Sequence, residues 1–178
     1  MATINLSWTP AGGSNSISQK VQRKSGAGAF ADIATLPATD STYSDTTAVD
    51  NVLHTYQIVN ICTYGGPTDS GDVSKGVPVC PAVEGTVIEN SVTLSYPGLS
   101  GDAIYGDTLT VVGIGDFPTS SSSEGFAHSF NGEFGTTYNY SVRVSVGDET
   151  IVCNNSFTIG AAPACPTPSG LAASVVLT

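Results

Sequence analysis

Two stretches decide how this chain is read: Thr3-Ile-Asn-Leu-Ser-Trp-Thr9 near its start and Leu171-Ala-Ala-Ser-Val-Val-Leu177 near its end. The first sets Ile4, Leu6 and Trp8 against Thr3, Asn5, Ser7 and Thr9, the period of two of a strand with one buried face. It reads as the second strand of a β-sandwich with no first strand ahead of it. The tail, led in by Cys165-Pro-Thr-Pro-Ser-Gly170, reads as an opening strand with Leu171, Ala173, Val175 and Leu177 on one face. The two ends are complementary. The expectation is that the tail acts as a donor strand, pairing beside Ile4, Leu6 and Trp8 as acceptor strand in a domain like the first.

Between these ends the chain alternates short apolar runs with turn clusters. Ile17 to Lys24, Phe30 to Leu36 and His54-Thr-Tyr-Gln-Ile-Val-Asn-Ile-Cys62 read as strands of a first unit that closes near Val79. Val92 to Tyr96, Ala103 to Ile114, Phe126 to Phe130, Tyr138 to Val146 and Thr150 to Ile159 repeat the plan. The expected organisation is a domain over residues 1–80, a second over 81–160, and a linker with its donor strand over 161–178. No window carries sustained apolar spacing of three and four, so the class is all-β.

The order Leu6-Ser-Trp8, Ile33-Ala-Thr-Leu36, Tyr43-x-Asp45 and Tyr56-Gln-Ile58 resembles a fibronectin type III domain from its second strand onward, over about residues 3 to 79. The resemblance implies that Trp8 and Tyr56 are core residues of one sandwich. The second unit lacks the tryptophan and the Tyr-x-Asp element, and is similar to either an immunoglobulin-like or a fibronectin type III-like sandwich. Pro166 to Val176 resembles the linker and first strand that precede a Leu-Ser-Trp strand in arrays of such domains.

Ser and Thr number 43 and Gly 20, whereas charged residues make up 11% of the chain, the look of exposed β-surface. Residues 81–160 hold nine acids and one base and the whole chain carries a net charge of −10, which argues against nucleic acid as a partner. Lys20, Arg23 and Lys24 cluster on one strand, as a solvated face or as a contact for an acidic neighbouring subunit. No apolar run approaches the roughly 20 residues of a membrane span, so no membrane insertion is expected. Met1-Ala-Thr-Ile-Asn has no basic start followed by an apolar core, the pattern of a secretory signal.

The four cysteines fall two to a half, with Cys80-Pro81 and Cys165-Pro166 at matching domain ends. They suggest two bridges, Cys62 with Cys80 and Cys153 with Cys165, or four reduced thiols. No Cys-x-x-Cys pair occurs, and His54 and His128 are far apart and lack a nucleophile context, so neither a zinc site nor a hydrolase triad is expected. Asp102, Asp107, Asp69 and Asp72 lack the twelve-residue calcium-loop pattern. No cofactor is implied, and the chain is expected not to be an enzyme.

Three readings remain: a virion or fibre subunit resembling the small sandwich domains of tailed phages, a bacterial surface adhesin or pilus-like filament subunit, and a carbohydrate-binding accessory module. The expected partners are other copies of the chain or neighbouring structural subunits, with cell-surface glycans as a further class, at a virion or extracellular surface. A glycan site would need a row of exposed aromatics, for which Tyr64, Tyr96, Tyr105 and Phe117 are candidates. Two sandwiches end to end span on the order of 70 Å, and the 13 residues from Pro166 to Thr178 reach at most about 45 Å, so donation to a neighbouring molecule is easier than return to the same one.

Overall fold

The computed structural model describes residues 3–164, and among them every regular element is a strand. The donor residues Leu171, Ala173, Val175 and Leu177 and the cysteine Cys165 lie outside the described residues. Alternation of apolar and polar residues produces strands wherever the chain has a core to face.

In the N-terminal half, β1 (Ile4–Ser7) is followed by β2 (Ser16–Ser25), β3 (Ala31–Pro37), β4 (Thr42–Asp45) and β5 (His54–Cys62). The short strands β6 (Thr68–Asp69) and β7 (Val73–Lys75) then pair one after the other with β5. One sheet runs β3-β2-β5 and ends on β6 and β7; facing it is a sheet of only two strands, β1 and β4. The stretch that closes this unit toward Val79 is not one continuous strand. Instead Ser70 takes over between the two short strands: its amide donates to the Ile58 carbonyl, and its hydroxyl accepts from the Ile58 amide.

The C-terminal half begins with β8 (Glu84–Ile88) and β9 (Ser91–Tyr96), then β10 (Ile104–Val111), β11 (Gly115–Pro118) and β12 (Phe126–Asn131), and ends with β13 (Thr137–Val146) and β14 (Glu149–Thr158). Its sheets are β12-β9-β8 and β11-β10-β13-β14. The run from Ala103 to Ile114 holds one strand, β10, which stops at Val111; beyond it Gly113 and Gly115 take φ of +85° and +137°, which allows the turn into β11.

Each half has its own core. Ile4, Leu6, Val21, Ala48, Tyr56 and Ile58 form the first, six buried residues against the fifteen around Val92, Leu94, Tyr105 and Val144 in the second. The smaller core belongs to the half with the two-stranded sheet. A sheet of two strands covers less of the facing sheet, so fewer side chains leave water.

The halves meet through the loop at Asn51, whose φ of +61° is unusual for a residue with a side chain. Its amide donates to the Val77 carbonyl, its carbonyl accepts from the Asp102 amide, and its side-chain oxygen accepts from the Val79 amide. Leu53 packs against the C-terminal core, its amide donates to Asp102 Oδ2, and Lys75 Nζ pairs with Glu149 at 2.5 Å.

The disulfide pairing differs from the expectation. Cys80, ahead of β8, bonds Cys153 in β14 with a Cα separation of 5.4 Å, so neither Cys62–Cys80 nor Cys153–Cys165 forms. Cys153 faces the C-terminal core in register with Val142, on β14 at the end of one sheet, and β8, which follows Cys80, ends the other, so the pairing joins the two sheets of that half. Cys62 has no disulfide partner among the described residues.

Candidate assembly edge

The two halves carry corresponding strands that differ in what flanks them. β9 lies between β12 and β8, whereas β1 pairs with β4 on one side and with nothing on the other among the described residues. The register makes the correspondence explicit. Leu94-Ser-Tyr96 closes β9 as Leu6-Ser-Trp8 closes and follows β1, and Leu94 and Leu6 both face their cores.

The open side of β1 is a groove. Asn5 to Trp8 form one wall and Tyr56, Ile58 and the segment Ser70–Val73 the other, enclosing about 370 Å³. It continues at one end past Ile4 to Gly76 and Val77, and at the other past Thr9 and Ala11 to Asn60 and Thr68. An unpaired strand edge above part of an exposed core offers backbone donors, acceptors and apolar contacts to an added strand.

Of the acceptor residues read from the sequence, Ile4 and Leu6 are buried in the first core. Trp8 packs against the same core as Tyr56 but is only half-buried, short of the full burial expected. The corresponding Tyr96 is 3% exposed. Trp8 lines the groove, whereas Tyr96 is covered by the rings of Phe126, Tyr105 and Tyr140.

Trp8 is held by a residue that the sequence reading passed over. Its indole Nε1 donates to Gln19 Oε1 at 2.7 Å, and Gln19 Nε2 donates to the Ala38 carbonyl at 2.6 Å and the Asp40 carbonyl at 3.1 Å. Gln19 is 1% exposed, yet its stretch Ser18-Gln-Lys20 is polar and carries no sign of burial.

Below the groove sits a buried carboxylate. Asp45 accepts from the Thr47 amide and hydroxyl, from the Tyr56 hydroxyl at 2.8 Å and from Arg23 Nη1 at 2.7 Å. Burial by itself pushes its carboxyl up, but Thr47, Tyr56 and Arg23 outweigh that and hold it at about 2. The same burial, reinforced by the carboxylate, pushes the Tyr56 hydroxyl well above its usual range.

His54 is fully buried, and burial with the nearby Arg23 charge holds its imidazole below the usual value. Its Nε2 accepts from the Val49 amide at 3.0 Å, so the proton sits on Nδ1 and is donated to Ser25 Oγ at 2.9 Å. Both nitrogens are occupied by structure. His128 lies between the rings of Phe117 and Phe126, in the other half.

The remaining candidates are dispersed. Lys20, Arg23 and Lys24 pair with Asp32, Asp45 and Asp72 of their own half, and Asp102 is taken up by the Leu53 amide. Among the described residues no cluster of three metal-ligating side chains occurs, and no helix is long and apolar enough to cross a membrane. The aromatic row considered for glycans does not form: Tyr96 and Tyr105 are buried and packed edge to face in the second core, which leaves Tyr64 and Phe117 in different halves. No protein-family model and no curated protein matches this chain, so the open edge of β1 stands on its own geometry.

Proposed function

We propose that this protein is a non-enzymatic structural subunit, built as two tandem sandwiches of the fibronectin type III or immunoglobulin-like kind, that associates head-to-tail by strand addition. The observation that carries this reading is the outer edge of β1, which pairs with no strand among the described residues, where the corresponding β9 is flanked by β8. The tail from Leu171 to Leu177 has the alternation of the missing strand, and a contact of this type repeats from molecule to molecule. A phage virion or fibre is the setting we infer from the Ser, Thr and Gly-rich surface.

The Cys80–Cys153 bridge favours a second reading, a bacterial surface adhesin or filament subunit, because disulfides persist in oxidising compartments. Both settings use the same edge.

The test deletes Pro166 to Thr178 and compares masses in solution by light scattering. The full chain is expected to form multimers and the truncated chain monomers. Trp8 is the only tryptophan, so adding a synthetic peptide of residues 166–178 to the truncated chain should shift its emission to the blue as the groove fills. An unchanged mass together with unchanged emission would rule the reading out.

A further inference from the structure

Once Cys80 and Cys153 are joined, Cys62 and Cys165 are left. Cys62 ends β5 in the row His54, Tyr56, Ile58, Asn60, whose members face the core, and the Asn60 amide reaches its Sγ at 3.3 Å. Asn60 lines the groove end together with Trp8 and Ala11. The Cys62 thiol therefore stands at the Trp8 end of the open edge, half-exposed.

The sequence leading into the tail repeats the one leading into β8. Cys165-Pro-Thr-Pro-Ser-Gly170 and Cys80-Pro-Ala-Val-Glu-Gly85 place Cys, Pro and Gly at the same spacing. In the C-terminal half this motif feeds an edge strand antiparallel to β9, with Gly85 opposite Leu94, and its cysteine is tied to a core-facing cysteine of the opposite sheet. The start of β8 lies beside the end of β9, Glu84 opposite Ser95. A strand laid on β1 in the same sense enters beside Trp8, at the end where Cys62 stands.

We propose that the groove along β1 is filled by the tail of a second copy, entering at the Trp8 end, and that a disulfide between Cys62 and Cys165 of the second copy locks the joint. This rests on the head-to-tail reading above and adds the orientation of the strand and its covalent fastening. The core-facing partner then comes from β5 of the acceptor, in place of the last strand that supplies Cys153. Formation requires a low-molecular-weight disulfide such as oxidised glutathione. One thiolate attacks it, releasing one glutathione thiol and leaving a mixed disulfide; the second thiolate displaces the other glutathione. Two protein thiols are oxidised and one glutathione disulfide is reduced to two thiols.

The experiment incubates the full chain with oxidised and reduced glutathione. It reads covalent mass on gels without reductant, native mass by light scattering, and cross-linked peptides by mass spectrometry. A ladder of covalent multimers joined through Cys62 and Cys165 is expected, collapsing to the 18.1 kDa chain on reduction. Cys62→Ser and Cys165→Ser should each abolish the ladder while native multimers persist; Cys165→Ser lies outside the described core and serves if Cys62→Ser fails to fold. Multimers in which both thiols stay open to alkylation would overturn the lock and leave the head-to-tail reading intact. A Cys62–Cys165 bridge confined to single chains would overturn the second copy as occupant, and monomers under all conditions would overturn both.

Discussion

The Tyr56 hydroxyl donates a 2.8 Å hydrogen bond to Asp45 Oδ2 inside the N-terminal core, and so joins β5 to β4 across the sandwich. Two residues the sequence marks as separate motif elements thus form one contact. The second core holds a contrasting tyrosine: the Tyr96 hydroxyl is buried without a hydrogen-bond partner among the described residues.

Removing the two hydroxyls should therefore have opposite effects. Tyr56→Phe leaves a buried carboxylate short of a donor and is expected to cost about 1 to 3 kcal/mol. Tyr96→Phe removes an unsatisfied polar atom and should be neutral or stabilising by up to about 1 kcal/mol. Urea unfolding of both variants checks the sign of each, and equal losses would contradict the assigned bonding.

Acid should weaken the fold in two stages. The His54 pKa is lowered in the folded protein, so below its ordinary 6.5 the unfolded chain takes up a proton first and stability falls as pH drops through the folded value. The Asp45 pKa is also lowered, from 3.8 to about 2, so its contribution is present above pH 3.8 and is lost as pH falls toward 2, roughly 2 kcal/mol in all. The urea midpoint followed from pH 8 to pH 2 should show both declines, and Asp45→Asn should remove the lower one.

The junction between the halves should be sensitive at Gly101. Its φ is +67°, and a Cβ there would lie 2.4 Å from the Asn51 carbonyl oxygen, a backbone atom held by the Asp102 amide. Gly101→Ala is expected to cost about 2 kcal/mol or more by strain and displacement of that loop. Gly12→Ala, with nothing within 4 Å, is the control and should change stability by less than about 0.5 kcal/mol. Thermal unfolding of the pair decides it.

Reduction of the Cys80–Cys153 bridge opens a loop with a sequence separation of 73, worth about 4 kcal/mol in the chain-entropy model. Cys80→Ser combined with Cys153→Ser should lower the melting temperature of the C-terminal half, and dithiothreitol should then have no further effect on it. A loss below about 1 kcal/mol would mean that the bridge closes a segment already held by packing.

Local alternation was sufficient to specify much of this protein. The period of two in Ile4 to Trp8, His54 to Asn60 and Tyr138 to Val146 marks buried faces that need no distant information, because successive side chains of a strand point to opposite sides. The place of Tyr56 in the first core, implied by the family resemblance, also holds. What the tertiary structure decided is which separate segments share a space. Cys153 bonds Cys80 because an edge strand brings them together, Gln19 is buried because the carbonyls of Pro37, Ala38 and Asp40 and the Trp8 indole surround it, and Trp8 stays half-open at the side of β1 away from β4, where no strand pairs among the described residues. Strand identity depends on a residue and its neighbours two positions away, whereas pairing, bridging and exposure depend on segments dozens of residues apart, and no local pattern encodes those distances.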